Sequence, residues 1–180
     1  GWGWHVLNAV VAAGPDQAKV KAGAQCGQAE WTDEQLLWKS MVAKELYPVV
    51  DAAEVLSRGG AWEERLACFG VDNSGVVFVL LAGRGRDVET RELMRVLSDL
   101  QIDRRFDVYG AWVPRWRNVV ADWLSRQVPL RDALRALTDP SFALLLEQAA
   151  EARTEERLNR LAASYPADAA RIREELKQGY

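Results

Sequence analysis

Cysteine and histidine are scarce in this chain, which contains Cys26, Cys68 and a single histidine, His5. A zinc site needs three or four thiolate or imidazole ligands, and two distant cysteines without CxxC spacing do not supply them. The composition therefore excludes a zinc site of this kind. It predicts instead that both cysteines are buried, reduced thiols of a protein in an intracellular, reducing compartment.

Long apolar runs and an excess of positive charge are also missing. No run approaches the length needed to cross a bilayer and no signal peptide is apparent, so we expect no membrane span. The net charge of −3 argues against a protein that coats nucleic acid through bulk positive charge. Residues 81–131 nevertheless carry ten arginines and seven acidic residues. This locally basic stretch either faces phosphate or forms a solvated surface of mixed charge.

With 180 residues, the chain is long enough for one domain with a core and an appendage. Alternating and β-branched residues predict a strand at 1–11, and the glycine and proline at 14–16 predict a turn. The chain then returns in a second predicted strand at 18–24. The amino-terminal part is therefore expected to form a β-hairpin.

The middle of the chain alternates between helix and strand signals. A long helix is predicted from Thr32 or Asp33 to Leu56, and Pro48 is expected to kink or break it because proline inside a helix costs about 3 kcal/mol. The elements predicted after it are a buried strand at 65–71, helices at 75–81 and 87–100, a strand at 106–113 and a helix at 118–124.

Beyond Pro129 only helices are predicted. Asp139 and Pro140 form an N-cap with proline at the first helical position, which indicates a helix at 141–153 that continues or restarts over 154–163. A last helix is expected from Tyr165 to Gln178. This tail either packs on the first unit or forms an arm that meets a partner. The predicted class is mixed α/β with one sheet.

Three acidic residues occupy informative places in this layout. Glu45 lies within the first long helix, Asp72 directly follows a strand, and Asp122 lies at the start of the helix after the last strand. Taken singly, Glu45 is typical of a solvated helix face, and Asp72 and Asp122 are typical of helix caps. Together they resemble a carboxylate set for Mg²⁺ or Mn²⁺, which prefer hard oxygen ligands and promote phosphodiester hydrolysis in paired-ion sites.

The residues around these acids resemble the ribonuclease H domain of retroelement reverse transcriptases. Three segments carry the resemblance: Lys-Glu-Leu-Tyr at 44–47, Val-Asp-Asn-Ser-Gly-Val at 71–76, and Trp-Val-Pro at 112–114 followed by Asn118 and Ala-Asp-Trp-Leu-Ser-Arg at 121–126. The resemblance implies a ribonuclease H-like mixed sheet with flanking helices over residues 1–126, and it leaves 127–180 as a helical C-terminal extension.

The same resemblance implies a function. Glu45, Asp72 and Asp122 would be the catalytic, metal-binding residues of an endonuclease that cuts the RNA strand of RNA–DNA hybrids with Mg²⁺ or Mn²⁺. The predicted nucleic-acid contacts are Asn73, Arg84, Arg86, Arg115 and Arg117. Arg84 and Arg86 lie in a Gly-Arg-Gly-Arg segment that lacks a phosphate-loop pattern and is interpreted as a plain loop.

The chain also departs from the family's pattern. The family's first catalytic aspartate precedes a glycine-rich turn, and the chain begins at what resembles that turn, Gly1-Trp2-Gly3, so this aspartate is not in the sequence. No histidine lies between Gly110 and Asp122. Because the absent first strand is central in this fold, we expect the gap to be filled by upstream residues of the natural chain or by a strand from another polypeptide.

Two functions therefore remain open. One is an active ribonuclease H domain of a retroelement reverse transcriptase, with an RNA–DNA hybrid as its partner. The other is a catalytically incomplete ribonuclease H-like module, kept as a structural subunit with protein partners in a larger assembly. A third interpretation is an unrelated α/β protein with chance matches.

Among the eight tryptophans, Trp38 and Trp123 are predicted to be core, and Trp112 and Trp116 to be partly exposed and able to stack on nucleic acid.

Overall fold

The computed structural model describes residues 2–5 and 25–177. Its strands are β1 (Trp2–His5), β2 (Cys26–Ala29), β3 (Leu66–Val71) and β4 (Asp107–Trp112). Its helices are α1 (Asp33–Leu37), α2 (Met41–Leu56), α3 (Ser74–Ala82), α4 (Val88–Arg104), α5 (Val119–Ser125), α6 (Leu130–Ala136), α7 (Pro140–Ser164) and α8 (Pro166–Lys177). None of these helices is long and apolar enough to span a membrane.

The strands form two separate two-stranded sheets. β1 pairs antiparallel with β2, and β3 pairs parallel with β4 from Leu66 opposite Asp107 to Val71 opposite Trp112. The mixed α/β class is as predicted, but within the described residues the expected single sheet is two sheets. The predicted second strand at 18–24 lies outside the described residues, and the partner that β1 has is Cys26–Ala29.

β1 lies between helices α2 and α5. It contacts both because successive side chains of a strand point to opposite faces. On one face, the Trp2 ring packs against Tyr47 of α2 at a centroid distance of 5.4 Å, and Trp4 Nε1 donates to Asp51 Oδ2 at 2.7 Å. On the other face, Gly3 lies directly against the backbone of α5 at Leu124. The absence of a side chain at Gly3 is what allows α5 to come this close.

The main hydrophobic core is formed by α2, α3 and α4 against one face of the β3–β4 sheet. Leu46, Val76 and Leu97 are fully buried in it, and each such side chain stabilises the fold by about 1.5–3 kcal/mol. Phe69 and Val108 pack on it from the sheet. This core holds α2 against the sheet and so determines where Glu45 lies.

A second core joins α5 to the tail. Leu124, Val128 and Ala133 are fully buried there, together with Ala150 of α7. The tail therefore packs on the first unit, as one of the two interpretations predicted. This core contains residues from both sides of residue 126. The division of the chain into 1–126 and 127–180 stays a prediction.

Of the kink or break predicted at Pro48, the break is wrong. The helix breaks at residues 38–40, and Pro48 lies inside the continuous helix α2. Ser40 starts the new helix, because its Oγ accepts from the Ala43 N–H at 3.1 Å and donates to Asp87 Oδ2 at 2.9 Å. Burial of Leu46 and Val49 next to Pro48 offsets the hydrogen bond that proline cannot make.

The described side chains correct the predicted burial at β3 and at the cysteines. Cys26 and Cys68 are both exposed rather than buried. β3 is buried on one face only, since Leu66 is 60% exposed and Cys68 points the same way. The reason is that a two-stranded sheet covered by helices on one face leaves its other face in solvent.

Most other elements are close to their predicted places. Asn73 caps α3 and Asp139 caps α7. α4 continues one turn beyond its predicted end, to Arg104, and α7 is a single helix across the predicted joint at 153–154. The short helix α6 lies in the stretch after Pro129 that was predicted to be helical without bounds for this helix. Gln178, the predicted end of the last helix, lies outside the described residues.

Candidate functional site

One cavity of about 780 Å³ brings the three predicted acids together. Glu45 comes from α2, Asp72 follows the carboxyl end of β3, and Asp122 comes from α5. β1 supplies Trp2 and Gly3 to the same cavity, and the rest of its wall comes largely from α7. Residues far apart in sequence thus border one space at the carboxyl end of the β3–β4 sheet.

Local sequence explains how each acid reaches the cavity. Leu46 faces the main core, so the neighbouring Glu45 lies at the edge of that core. Asp72 is the first residue after β3, and Asn73 turns the chain into α3 by accepting from the Gly75 N–H at 2.8 Å. Leu124 is buried against β1, which positions Asp122 one half-turn earlier on α5.

Glu45 carries the largest electrostatic perturbation in the site. Burial raises its pKa, the Asp72 and Asp122 carboxylates raise it further, and Arg115 lowers it, with the result that the pKa rises from 4.5 to about 7. Like charges that share a small space disfavour one another's ionised form. The Glu45 carboxyl therefore holds a proton in a large fraction of molecules at neutral pH.

Asp122 is held by arginines. Arg126 Nη2 lies 2.9 Å from Asp122 Oδ2, and Arg115 Nη2 lies 3.9 Å from Asp122 Oδ1. Burial nevertheless raises the pKa of Asp122 above its ordinary value, against the opposing effect of both arginines. Arg126 also pairs with Glu147 of α7. The tail is therefore linked through Arg126 to one of the three acids.

No protein-family model matches the chain, and no curated protein or solved structure matches it.

The carboxylates fit a divalent cation in ligand type and charge. Carboxylate oxygens are the ligands that Mg²⁺ and Mn²⁺ prefer, and a cation would relieve the repulsion that raises the pKa of Glu45. Their spacing is not that of a closed site. Within residues 2–5 and 25–177, no three Asp, Glu, His or Cys side chains are grouped closely enough to hold a metal ion.

The predicted nucleic-acid contacts lie in different places. Arg115 lines the cavity. Arg117 lies outside it on the exposed turn after β4, with its guanidinium 4.7 Å from the ring centroid of Trp116. Arg84 and Arg86 are exposed on the loop between α3 and α4, and Arg86 borders a separate shallow pocket. Asn73 is engaged as the cap of α3.

Sequence reasoning missed two kinds of site residue. Arg126 lies four residues after Asp122 on a predicted helix, and this spacing alone is a signal for an ion pair. Glu147 and Arg157 come from α7, and Arg157 pairs with Glu30 at 3.1 Å and donates to the Trp31 carbonyl. No local pattern in the tail indicates that these residues face the acids.

Proposed function

We propose that this chain is a ribonuclease H-like module of a retroelement reverse transcriptase, which hydrolyses the RNA strand of RNA–DNA hybrids. One observation carries the proposal. The three acids that the sequence resemblance singles out, Glu45, Asp72 and Asp122, line the same cavity and interact electrostatically. Nothing in the local sequence of three separate elements would bring them together by itself.

The arrangement of β3, β4 and α5 supports the same proposal. A parallel strand pair presents its functional groups at the carboxyl ends of the strands, and Asp72 occupies that position on β3. Glu45, Asp72 and Asp122 would hold Mg²⁺ or Mn²⁺ once drawn closer together than they lie in this structure, and the ion would supply charge neutralisation and an activated water for phosphodiester hydrolysis. The three carboxylates do not form a closed metal site among the described residues. The proposal therefore includes a further carboxylate ligand from outside those residues.

The chain's own arginines would regulate the availability of Asp122. Its Oδ2 is 2.9 Å from Arg126, so the carboxylate would have to leave that ion pair if this oxygen became a metal ligand. Glu147 remains as the partner of Arg126 when this happens. With 28% and 31% of the two side chains accessible to solvent, the pair lies between a surface and a buried ion pair, so breaking it costs less than breaking a fully buried one.

The test is cleavage of a labelled RNA–DNA hybrid by the purified chain with Mg²⁺ and with Mn²⁺. We expect slow cleavage of the RNA strand, slow because the carboxylates of the described residues do not form a closed metal site. Asp72→Asn, which keeps the shape of the side chain and removes its charge, should reduce it to background. Asp103→Asn, an exposed acid near the end of α4, is the matched control and should cleave like the wild type. Equal cleavage by the wild type and Asp72→Asn would refute the proposal.

The ion pairs of Asp122 and the absence of a closed ligand group in the described part of the chain favour a second candidate. In this alternative the module is catalytically incomplete and serves as a structural subunit of a larger assembly. It predicts that neither cation changes the thermal midpoint of the wild type, whereas the hydrolase proposal predicts a rise that Asp72→Asn abolishes.

A further inference from the structure

The turn after β4 presents an aromatic and cationic surface next to the cavity. Trp116 is 69% exposed and Trp112 is 58% exposed, although a tryptophan side chain gains more than almost any other from burial. The two residues flank Pro114, and a 3₁₀ turn at Arg115–Arg117 places Trp116 between two arginines. We call Trp112, Trp116 and Arg117 the aromatic platform.

The geometry of Trp116 is that of a ring held in place with one face available. The Arg117 guanidinium lies 4.7 Å from the ring centroid, within the range of a cation–π interaction. Arg117 covers one face, and the ring still remains 69% exposed, so the other face is open to solvent. A flat aromatic face beside a cation matches the two parts of a nucleotide, since the base stacks and the phosphate pairs with the cation.

The platform is continuous with the site of the acids. Arg115, the residue before Trp116, lines the cavity and lies 3.9 Å from Asp122. A strand whose backbone enters the cavity would therefore pass Trp116 on its way in or out. Bases inside a duplex are stacked on their neighbours and cannot also stack on a protein ring, whereas unpaired bases can.

We infer that the aromatic platform binds single-stranded nucleic acid, and specifically an unpaired base adjoining the duplex that occupies the cavity. This inference rests on the proposed function for the identity of that duplex. The position of Trp116 directly after Arg115, which lines the cavity proposed for the hybrid, favours nucleic acid over a protein partner. Stacking would be tolerant of sequence, because every base has an aromatic face, and the arginines would add salt-sensitive contacts to phosphate.

The test measures binding of fluorescein-labelled oligonucleotides by anisotropy in EDTA, where no cleavage occurs. The probes are a single strand of about 12 nucleotides, a blunt RNA–DNA hybrid, and the same hybrid with a single-stranded overhang. We expect the overhang to strengthen binding to the wild type, and Trp116→Ala to weaken binding of the overhang and single-strand probes by about 5- to 100-fold. The blunt hybrid should bind equally to both proteins.

Matched variants separate stacking from charge. Trp116→Phe keeps an aromatic face and should lose less affinity than Trp116→Ala. Arg117→Gln should reduce the slope of log K against log salt by about 0.7, the value for one phosphate contact on a single strand. Phe78→Ala removes an aromatic residue that is 55% exposed on α3, and Arg131→Gln removes an exposed arginine on α6, so neither should change binding.

The outcomes distinguish this inference from the proposed function. If the chain cleaves hybrids and Trp116→Ala binds every probe as the wild type does, the platform is refuted and the hydrolase stands. If Trp116→Ala loses single-strand binding while Asp72→Asn and wild type cleave equally little, the platform stands and the hydrolase is refuted. If Trp116→Ala sediments differently from the wild type but binds every oligonucleotide equally well, the platform is a protein contact and the inference is refuted.

Discussion

Glu45→Gln is expected to stabilise the metal-free protein at pH 8 by about 1–3 kcal/mol. The glutamate pKa is raised from 4.5 to about 7 in the folded protein, first by burial and then by Asp72 and Asp122. Each unit of such a shift corresponds to about 1.4 kcal/mol. Glu45 is only partly buried, so solvent screening makes the stabilisation smaller than the whole pKa shift would give. Glutamine has nearly the same shape and carries no charge to bury.

The sign of the pH dependence follows from the direction of the shift. Between pH 4.5 and 7 the folded protein binds a proton at Glu45 that the unfolded chain has released, so this residue's contribution to stability falls as the pH rises through that interval. Below pH 4.5 both states are protonated, and Glu45→Gln should differ little from the wild type. The difference in the free energy of unfolding between the two proteins should therefore increase with rising pH and become constant above about pH 8.

Urea unfolding in EDTA at several pH values measures this difference. Glu54→Gln is the matched control, because Glu54 lies on the same helix, is exposed, and forms a surface pair with Arg58. Its effect should be under about 1 kcal/mol at every pH. A gap between Glu45→Gln and wild type that stays the same from pH 4.5 to 8 would mean that neither burial nor the neighbouring carboxylates raise the pKa of Glu45 in the folded protein.

The elements around Asp72 and at the start of α7 could be predicted from sequence because their signals are local. Asp72 follows a short apolar run, and Asn73 is a strong N-cap residue, so both the strand end and the following helix were foreseeable. Asp139 and Pro140 gave the start of α7 for the same reason. What brought Glu45, Asp72 and Asp122 into one prediction was the resemblance of their surroundings to a known family.

What could not be predicted depends on contacts distant in sequence. Pro48 is unfavourable in a helix by about 3 kcal/mol, yet burial of Leu46, Val49 and Val50 around it contributes more. The exposure of Leu66 and Cys68 depends on which helices cover the sheet. The pairing of Arg126 with Glu147 depends on how the tail folds back, which no local pattern in either segment encodes.

Gly3→Ala is expected to destabilise the protein by about 1–3 kcal/mol, the range for forcing extra atoms into a packed site. A Cβ at this position would lie 2.7 Å from the Leu124 carbonyl carbon and 2.8 Å from the Ser125 nitrogen. Because both are backbone atoms of α5, no change of rotamer removes the overlap. Gly3 is not among the glycines with positive φ, so the cost comes from packing rather than from backbone conformation.

Gly70→Ala is the control for this substitution. Its Cβ would lie 3.1 Å from Val113 Cγ1, a side-chain atom that can move, so we expect a change within about 1 kcal/mol. Thermal or urea unfolding of the two variants compares them directly. Equal midpoints would mean that α5 does not lie against β1. Since that contact positions Asp122, the same result would separate this acid from Glu45 and Asp72 and leave the cavity without its third carboxylate.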